Sequence, residues 1–469
     1  MSQTPKKALS LFDSTCLIVG IIIGAGIYKT APDVAKGAGC WWGVLAIWVV
    51  GGLLSLCGAL GYAELATAYP REGGDYVYLS RAYGRWAGFL FGWMQLAVVR
   101  PCDIAAMAFA FATYARMLYD PFRNLVVPYD KLPFVESSPE AAVPCSMLVY
   151  AGLAVVVLTA INILGVREGK WTQNVLTIVK ALGLLAIVGV ALVGPSVPPT
   201  TESVGYFPLS VALILVLFTF GGWNEMAYVA AEVKNPNRNI IRALVLGTAA
   251  VTVLYLLVNG AFLWTLGYAG TATSEAVATD TVKDVFPATI GGRLISALVC
   301  ISALGAINGL VFTGARISYA VGADHRAFRV LGRWHSRRGT PVPALLVQAL
   351  IAIVLIVALG SFVDTIIYAA PAVYSFYLAT TLAVIVLRFK EPGVKRPYRV
   401  LGYPVVPLVF CCVCALLIYK SVQYAVLPAP IGLGKPWIVA VPFVVLSLGL
   451  PIYWISRLWP VNRAEDEGA

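Results

Sequence analysis

The stretch Ile18–Ala35 reads IVGIIIGAGIYKTAPDVA and contains a contradiction. Its isoleucines and valines belong in hydrocarbon. Yet Gly24-Ala25-Gly26 interrupts them at half depth, where glycine weakens a helix. A second stretch starting at Leu209, LSVALILVLFTFGGWNEMAYVAAEVKNPNRN, puts Gly221-Gly222 in the middle of another apolar run. Either pair alone is equally well explained by close helix packing. Their recurrence in the first and sixth apolar segments, at corresponding places of two halves, points to interrupted helices that build a site at the membrane midplane.

Composition sets the class around these two stretches. Of 469 residues, 59% are hydrophobic and 12% charged, whereas a soluble domain carries about 25% charged residues. Apolar runs of about 20 residues, enough to cross a bilayer, recur along the whole chain. Twelve spans are expected near 12–36, 41–68, 84–118, 144–164, 171–194, 207–232, 239–267, 291–321, 342–360, 363–388, 403–424 and 437–459. The expected fold class is therefore an all-α polytopic membrane protein forming one transmembrane domain. Residues 12–194 make a first repeat, 207–388 an inverted second repeat, and 403–459 two additional helices. The loop from Asp120 to Pro144 is proline-containing without a long apolar run, and is read as a loop with room for a short helix.

The net charge of +11 does not call for nucleic acid. With the N-terminus inside, Arg71, Arg81, Arg85, Arg167, Lys170, Lys234, Arg337 and Arg338 fall in cytoplasmic loops, while Asp120, Asp130, Glu136, Glu140 and Glu202 fall outside. That is the asymmetry of the positive-inside rule. Both termini are accordingly expected in the cytoplasm and the protein in the inner or plasma membrane. Lys6 and Lys7 precede the first span, but that span runs past Pro32, so no cleavable signal is expected. The nine cysteines are scattered, and the Cys411-Cys412-x-Cys414 cluster has no histidine nearby and the wrong spacing for zinc. Membrane packing accounts for them. His325 and His335 lie in a basic loop and are expected to be solvated. Neither a metal nor a cofactor is expected.

Breaking a membrane helix frees backbone groups, each costing several kcal/mol in hydrocarbon unless a cavity or ligand satisfies it. At the first break the N–H groups of Ala25, Gly26 and Ile27 become free at the positive end of the outer half-helix, which suits a carboxylate. Carbonyls near Ile22, Phe218, Thr219 and Gly221 suit a cation such as an ammonium. An anion site beside a cation site fits an α-amino acid.

Seven pieces carry a resemblance over nearly the whole chain: VGIIIGAGIY, YAELATAYPREGGDYVYL, VVRPCDIAAMAFAFATYARMLY, NVLTIVKALGLL, FGGWNEMAYVAAEVKNPNRNI, ALGAINGLVFTGARISYAVG and TPVPALLVQ. In this order they resemble the amino acid–polyamine–organocation superfamily, most of all the L-type transporters, which comprise the light chains of heteromeric transporters and bacterial relatives. The resemblance implies a LeuT-like fold of ten core helices plus two, with the first and sixth unwound. It also implies site roles. The Ala25 and Gly26 amides, with Gly24 beside them in the substrate site, would hold the substrate carboxylate, and the carbonyls of Ile22, Phe218 and Gly221 the ammonium. Gly222, Asn224, Met107 and Tyr374 would complete the substrate site, and Phe218 would be its aromatic gate.

Lys180 lies deep in the fifth span, where an ion is expensive and functional by default. The resemblance makes it a stand-in for the sodium ion of coupled relatives, tethering the first span to the eighth through Ser302. A proton switch and a purely structural lysine are the other readings. Asp103 departs from the family's small polar residue. As the i, i+3 neighbour of Arg100 it can neutralise that arginine, or it can face the site and select a cationic side chain or carry a proton. Glu225 is read chiefly as a first-turn carboxylate behind an Asn224 cap, with substrate or proton handling as the alternative. The loop after the third span lacks the cysteine that eukaryotic light chains use for a heavy chain, and Cys145 lies at the start of the fourth span, so such a partner is not expected.

The sequence thus reads as a sodium-independent L-amino-acid transporter working by alternating access, with exchange and neutral substrates favoured. Proton-coupled, cationic amino-acid or polyamine transport is the alternative. A membrane enzyme would need clustered His, Asp or Ser at a membrane face, and a channel would need a continuous polar stripe. Neither pattern is present.

Overall fold

A computed structural model describes residues 7–71, 73–122, 125–128, 142–198, 208–274, 276–359, 362–427 and 436–457. Among them, nine helices are long and apolar enough to cross a membrane, and the pair Leu11–Ile22 and Gly26–Ala38 adds a span bent by 51°. Two shorter apolar helices begin at Leu209 and Val342. Along the chain, these ten spans and two shorter helices fall in order at the twelve expected segments. The chain is a polytopic all-α membrane protein.

The fifth span, Val166–Val193, shows how the sequence chooses its faces. Its buried residues Gln173, Thr177, Lys180, Leu184, Ile187 and Ala191 recur every three or four positions and form one helical stripe. Val175, Ile178, Val179, Leu182 and Leu185 face outward. Gln173, Thr177 and Lys180 turn inward and the residues left facing outward at that depth are apolar, the arrangement required of a helix solvated by lipid.

Helix ends follow local chemistry. Ser10 caps the first helix in a reciprocal box with Asp13. Pro236 opens the seventh span, Pro236–Thr273, which kinks at Gly267, where φ is +68°. The third span runs from Arg85 to Leu118 through a π-helical turn at Gln95–Val99. Nothing in its residue pattern announces that turn. Between the third and fourth spans, Val126–Pro128 pairs antiparallel with Ala142–Pro144. The short helix allowed for in that loop falls outside the described residues.

His325 departs from expectation. It is 8% exposed, packs edge-on to Phe89 with centroids 4.7 Å apart, and its ring Nδ1 lies 3.3 Å from the Ser456 hydroxyl. The basic loop around it folds back onto the last span, burying the ring. His335 is exposed, as expected.

Ion pairs join elements far apart in sequence. Arg316 meets Glu232 at 2.7 Å with both side chains buried. Glu64 is held by Arg388 at 2.6 Å and Arg396 at 3.6 Å. Arg81 and Tyr69 both reach Glu391. Leu9 exchanges backbone bonds with Glu232 and Lys234, stitching the N-terminal segment to the chain that follows the sixth span.

Candidate functional site

The first break lies between Ile22 and Gly26. The Gly24 amide turns back to the Ile22 carbonyl at 2.8 Å instead of continuing the helix. Among the described residues, no acceptor meets the N–H groups of Ala25, Gly26 and Ile27. The second helix, Leu209–Thr219, stops in a turn: the Gly221 amide donates to the Phe218 carbonyl at 2.8 Å, and Gly222 has φ +111°. An L side chain rarely adopts that φ, and a Cβ there would sit 2.5 Å from Ile21 Cγ2. A four-residue helix, Glu225–Tyr228, resumes the span. The two breaks touch, with the Thr30 and Thr219 hydroxyls 3.1 Å apart.

A single cavity opens between them. Of the residues singled out from sequence, Ile22, Gly24, Gly26, Met107, Phe218, Gly221, Gly222, Asn224 and Tyr374 line it, as do Asp103 and Glu225. Ala25 is fully buried and does not line it, although its amide lies in the break. Apolar wall comes from Met107, Ile214, Leu217 and Val373.

The carbonyls differ from expectation. Ile22 O accepts from both the Gly24 amide and the Tyr255 hydroxyl, at 2.8 and 2.9 Å, so both its lone pairs are engaged. Tyr255 also approaches the Thr219 carbonyl at 3.3 Å. Phe218 O accepts the Gly221 amide. Gly221 O keeps no intramolecular donor among the described residues. Tyr255 was invisible as a site residue because its tyrosine sits in an ordinary apolar run of the seventh span. Only tertiary packing brings it between the breaks, where its ring also packs edge-on to Trp48 and tilted against Phe220.

Two side-chain expectations are corrected. Arg100 does not pair with Asp103. It reaches across to Glu225, N to O 2.9 Å, with both side chains buried, and the Thr313 hydroxyl donates to the other Glu225 oxygen. The sixth span's break delivers Glu225 to Arg100, and helical spacing along the third span cannot foresee a partner there. Nor does Asn224 cap the outgoing helix. Its amide donates to the Tyr228 hydroxyl at 2.8 Å and accepts from Tyr377 at 3.0 Å, while Tyr228 donates to Asp75 at 2.7 Å. This chain runs from the cavity to the connecting helix Asp75–Tyr83. Burial pushes the Asp75 carboxyl up to about 6.

Behind the cavity, the Lys180 ammonium donates to the carbonyls of Gly20, Ile23 (2.6 Å) and Ser302 (3.2 Å). The Ser302 hydroxyl donates to Ile23 and Gly24 at 3.2 and 3.0 Å. Lys180 and Ser302 do not line the cavity. They hold the carbonyls on its far side, where spans one, five and eight meet.

Residues 9–448 match the family model described as amino acid permease. The chain is 31% identical to the human b(0,+)-type amino acid transporter 1 over 438 residues, covering 90% of this chain and 85% of the relative. It is 30% identical to the mouse Asc-type amino acid transporter 1, covering 97% and 82%. It is 28% identical to the rabbit large neutral amino acids transporter small subunit 2, covering 97% and 81%.

Proposed function

We propose, from the premise that this chain belongs to the amino acid permease family and is a multi-pass amino-acid transporter, that it exchanges L-amino acids across a cell membrane by alternating access without sodium. The observation that carries the reading is a cavity lined by both Gly26, within a break whose Ala25–Ile27 amides meet no acceptor among the described residues, and Gly221, whose carbonyl is open. The amides hold the substrate carboxylate at a half-helix N-terminus, and the carbonyl takes its ammonium. Phe218 gates the site. The apolar wall of Met107, Ile214, Leu217 and Val373 suits neutral side chains.

Lys180 supports sodium independence. Its fixed charge occupies the carbonyl cluster that links the first span to the eighth, leaving no vacancy for a metal ion there. On this reading the interrupted first and sixth spans are equivalent elements of a first repeat and an inverted second repeat, followed by two additional helices. The bias of basic residues toward one set of loops supports a cytoplasmic position for both termini. The protein works without a heavy chain.

The test is uptake of a panel of radiolabelled amino acids into proteoliposomes, empty or preloaded, with and without sodium and a pH gradient. The reading expects uptake only into preloaded vesicles, unchanged by replacing sodium. Equal uptake into empty vesicles driven by an acid exterior overturns exchange in favour of proton-coupled import.

A further inference from the structure

The cavity has an uncompensated charge. Among the described residues, the charged side chains lining it are Arg100, Asp103 and Glu225. Arg100 and Glu225 neutralise each other at 2.9 Å, with Thr313 satisfying the second carboxylate oxygen. Asp103 is half-buried, and no hydrogen bond or ion pair reaches it among the described residues. It lies one helical turn from Met107 on the cavity wall. The ionisable groups that interact with it are Arg100 and Cys102 on its own helix, Glu225 on the sixth span and Tyr377 on the tenth. Arg100 is already committed, and the other three offer no positive charge.

A lone carboxylate in a cavity enclosed by membrane helices needs a counter-charge, because a buried unpaired ion costs several kcal/mol. A zwitterionic amino acid bound at the two breaks brings none, since its own charges cancel at the backbone groups. Two companions can supply it: a proton on Asp103, or a cationic group on the side chain of the substrate.

We infer that Asp103 fixes the charge of the loaded carrier, so that a neutral amino acid travels with a proton on Asp103 and an amino acid with a basic side chain travels with Asp103 ionised. This rests on the exchange reading above and deepens it. Both loaded forms then carry the same net charge across the membrane. Exchange of an external basic amino acid for an internal neutral one moves one positive charge in on the side chain. It moves one out as the proton that Asp103 releases on the far side with the neutral amino acid. The cycle is electroneutral and couples one proton outward to one basic amino acid inward. Neutral-for-neutral exchange moves no net proton.

The experiment uses the full chain in liposomes loaded with leucine and a pH-sensitive dye. Labelled arginine is added outside at zero and at −100 mV potassium diffusion potential, with leucine uptake as the parallel arm. The expected result is arginine uptake with internal alkalinisation of one proton per arginine, at a rate unaffected by voltage. Leucine-for-leucine exchange leaves the internal pH still. Asp103→Asn and Asp103→Ser are expected to lower the ratio of arginine to leucine uptake at least tenfold and to abolish the alkalinisation. Because the ratio is read within each variant, reduced folding does not mimic the effect. Voltage-driven arginine uptake without proton movement overturns the inference, as does wild-type protein that exchanges leucine but rejects arginine. In both cases the exchange reading survives. Folded protein that exchanges no amino acid at all overturns the exchange reading itself, and this inference with it.

Discussion

Replacing Lys180 by alanine should slow transport far more than it weakens substrate binding. The ammonium donates to Gly20, Ile23 and Ser302. The Ser302 carbonyl lies mid-helix and keeps its helical partner, and Ile23 keeps the Ser302 hydroxyl at 3.2 Å. Gly20 is left bare, because the Gly24 amide that a continuous helix would offer is turned to Ile22. A stranded buried acceptor costs about 1–3 kcal/mol, and each lost charge-assisted bond about 1.5–3 kcal/mol. Relief of the buried ammonium's desolvation offsets part of this. A net loss of about 3 kcal/mol, at 1.4 kcal/mol per tenfold, changes the balance between conformations by about a hundredfold wherever the tether is made in one and broken in another. The cavity wall is untouched, since Lys180 does not line it. Exchange rates in proteoliposomes should therefore fall about a hundredfold, while equilibrium binding of a labelled substrate in detergent shifts by less than about fivefold. An unaltered exchange rate with normal insertion would falsify the tether. So would loss of binding in proportion to rate. Gly305→Ala offers a gentler version, because its Cβ would sit 2.7 Å from the pinned ammonium.

Three further outcomes follow from the same geometry. Arg100→Ala strands Glu225 in a buried site and should destabilise the protein by about 3–5 kcal/mol. The double variant Arg100→Met with Glu225→Met should recover much of that in thermal unfolding, and a double variant worse than the single would contradict a mutual pair. Gly222→Ala forces a Cβ into φ +111° and against Ile21 at 2.5 Å. It should cost about 1–3 kcal/mol of backbone strain before the clash is counted, seen as a lower melting temperature and lost substrate binding. Asp75 is held by burial at about 6, above an ordinary carboxylate near 4. Its contribution to stability is therefore complete below about pH 4 and lost as pH rises through 6. Melting temperature should fall from pH 5 to pH 8, and Asp75→Asn should flatten that part of the profile, leaving an unchanged slope as the contrary result.

The membrane class, the order of the twelve segments and the two breaks were legible in the sequence because each depends on local quantities. Hydropathy over about 20 residues reports a span, and a glycine pair within one reports a place where the helix can stop. Gly24–Gly26 and Gly221–Gly222 carry that signal without reference to any neighbour. Lys180 announced itself likewise, since an ammonium at that depth must find oxygen atoms. Which atoms face which was a different matter. Arg100 turned from its helical neighbour Asp103 to Glu225, 125 residues away, because the broken sixth span brings that carboxylate to the third. Tyr255 closed off Ile22, and Asn224 joined a hydroxyl chain to Asp75 instead of capping its helix. Side-chain pairing inside a low-dielectric bundle is settled by the nearest partner in space, and only the packed arrangement of helices fixes which residue that is.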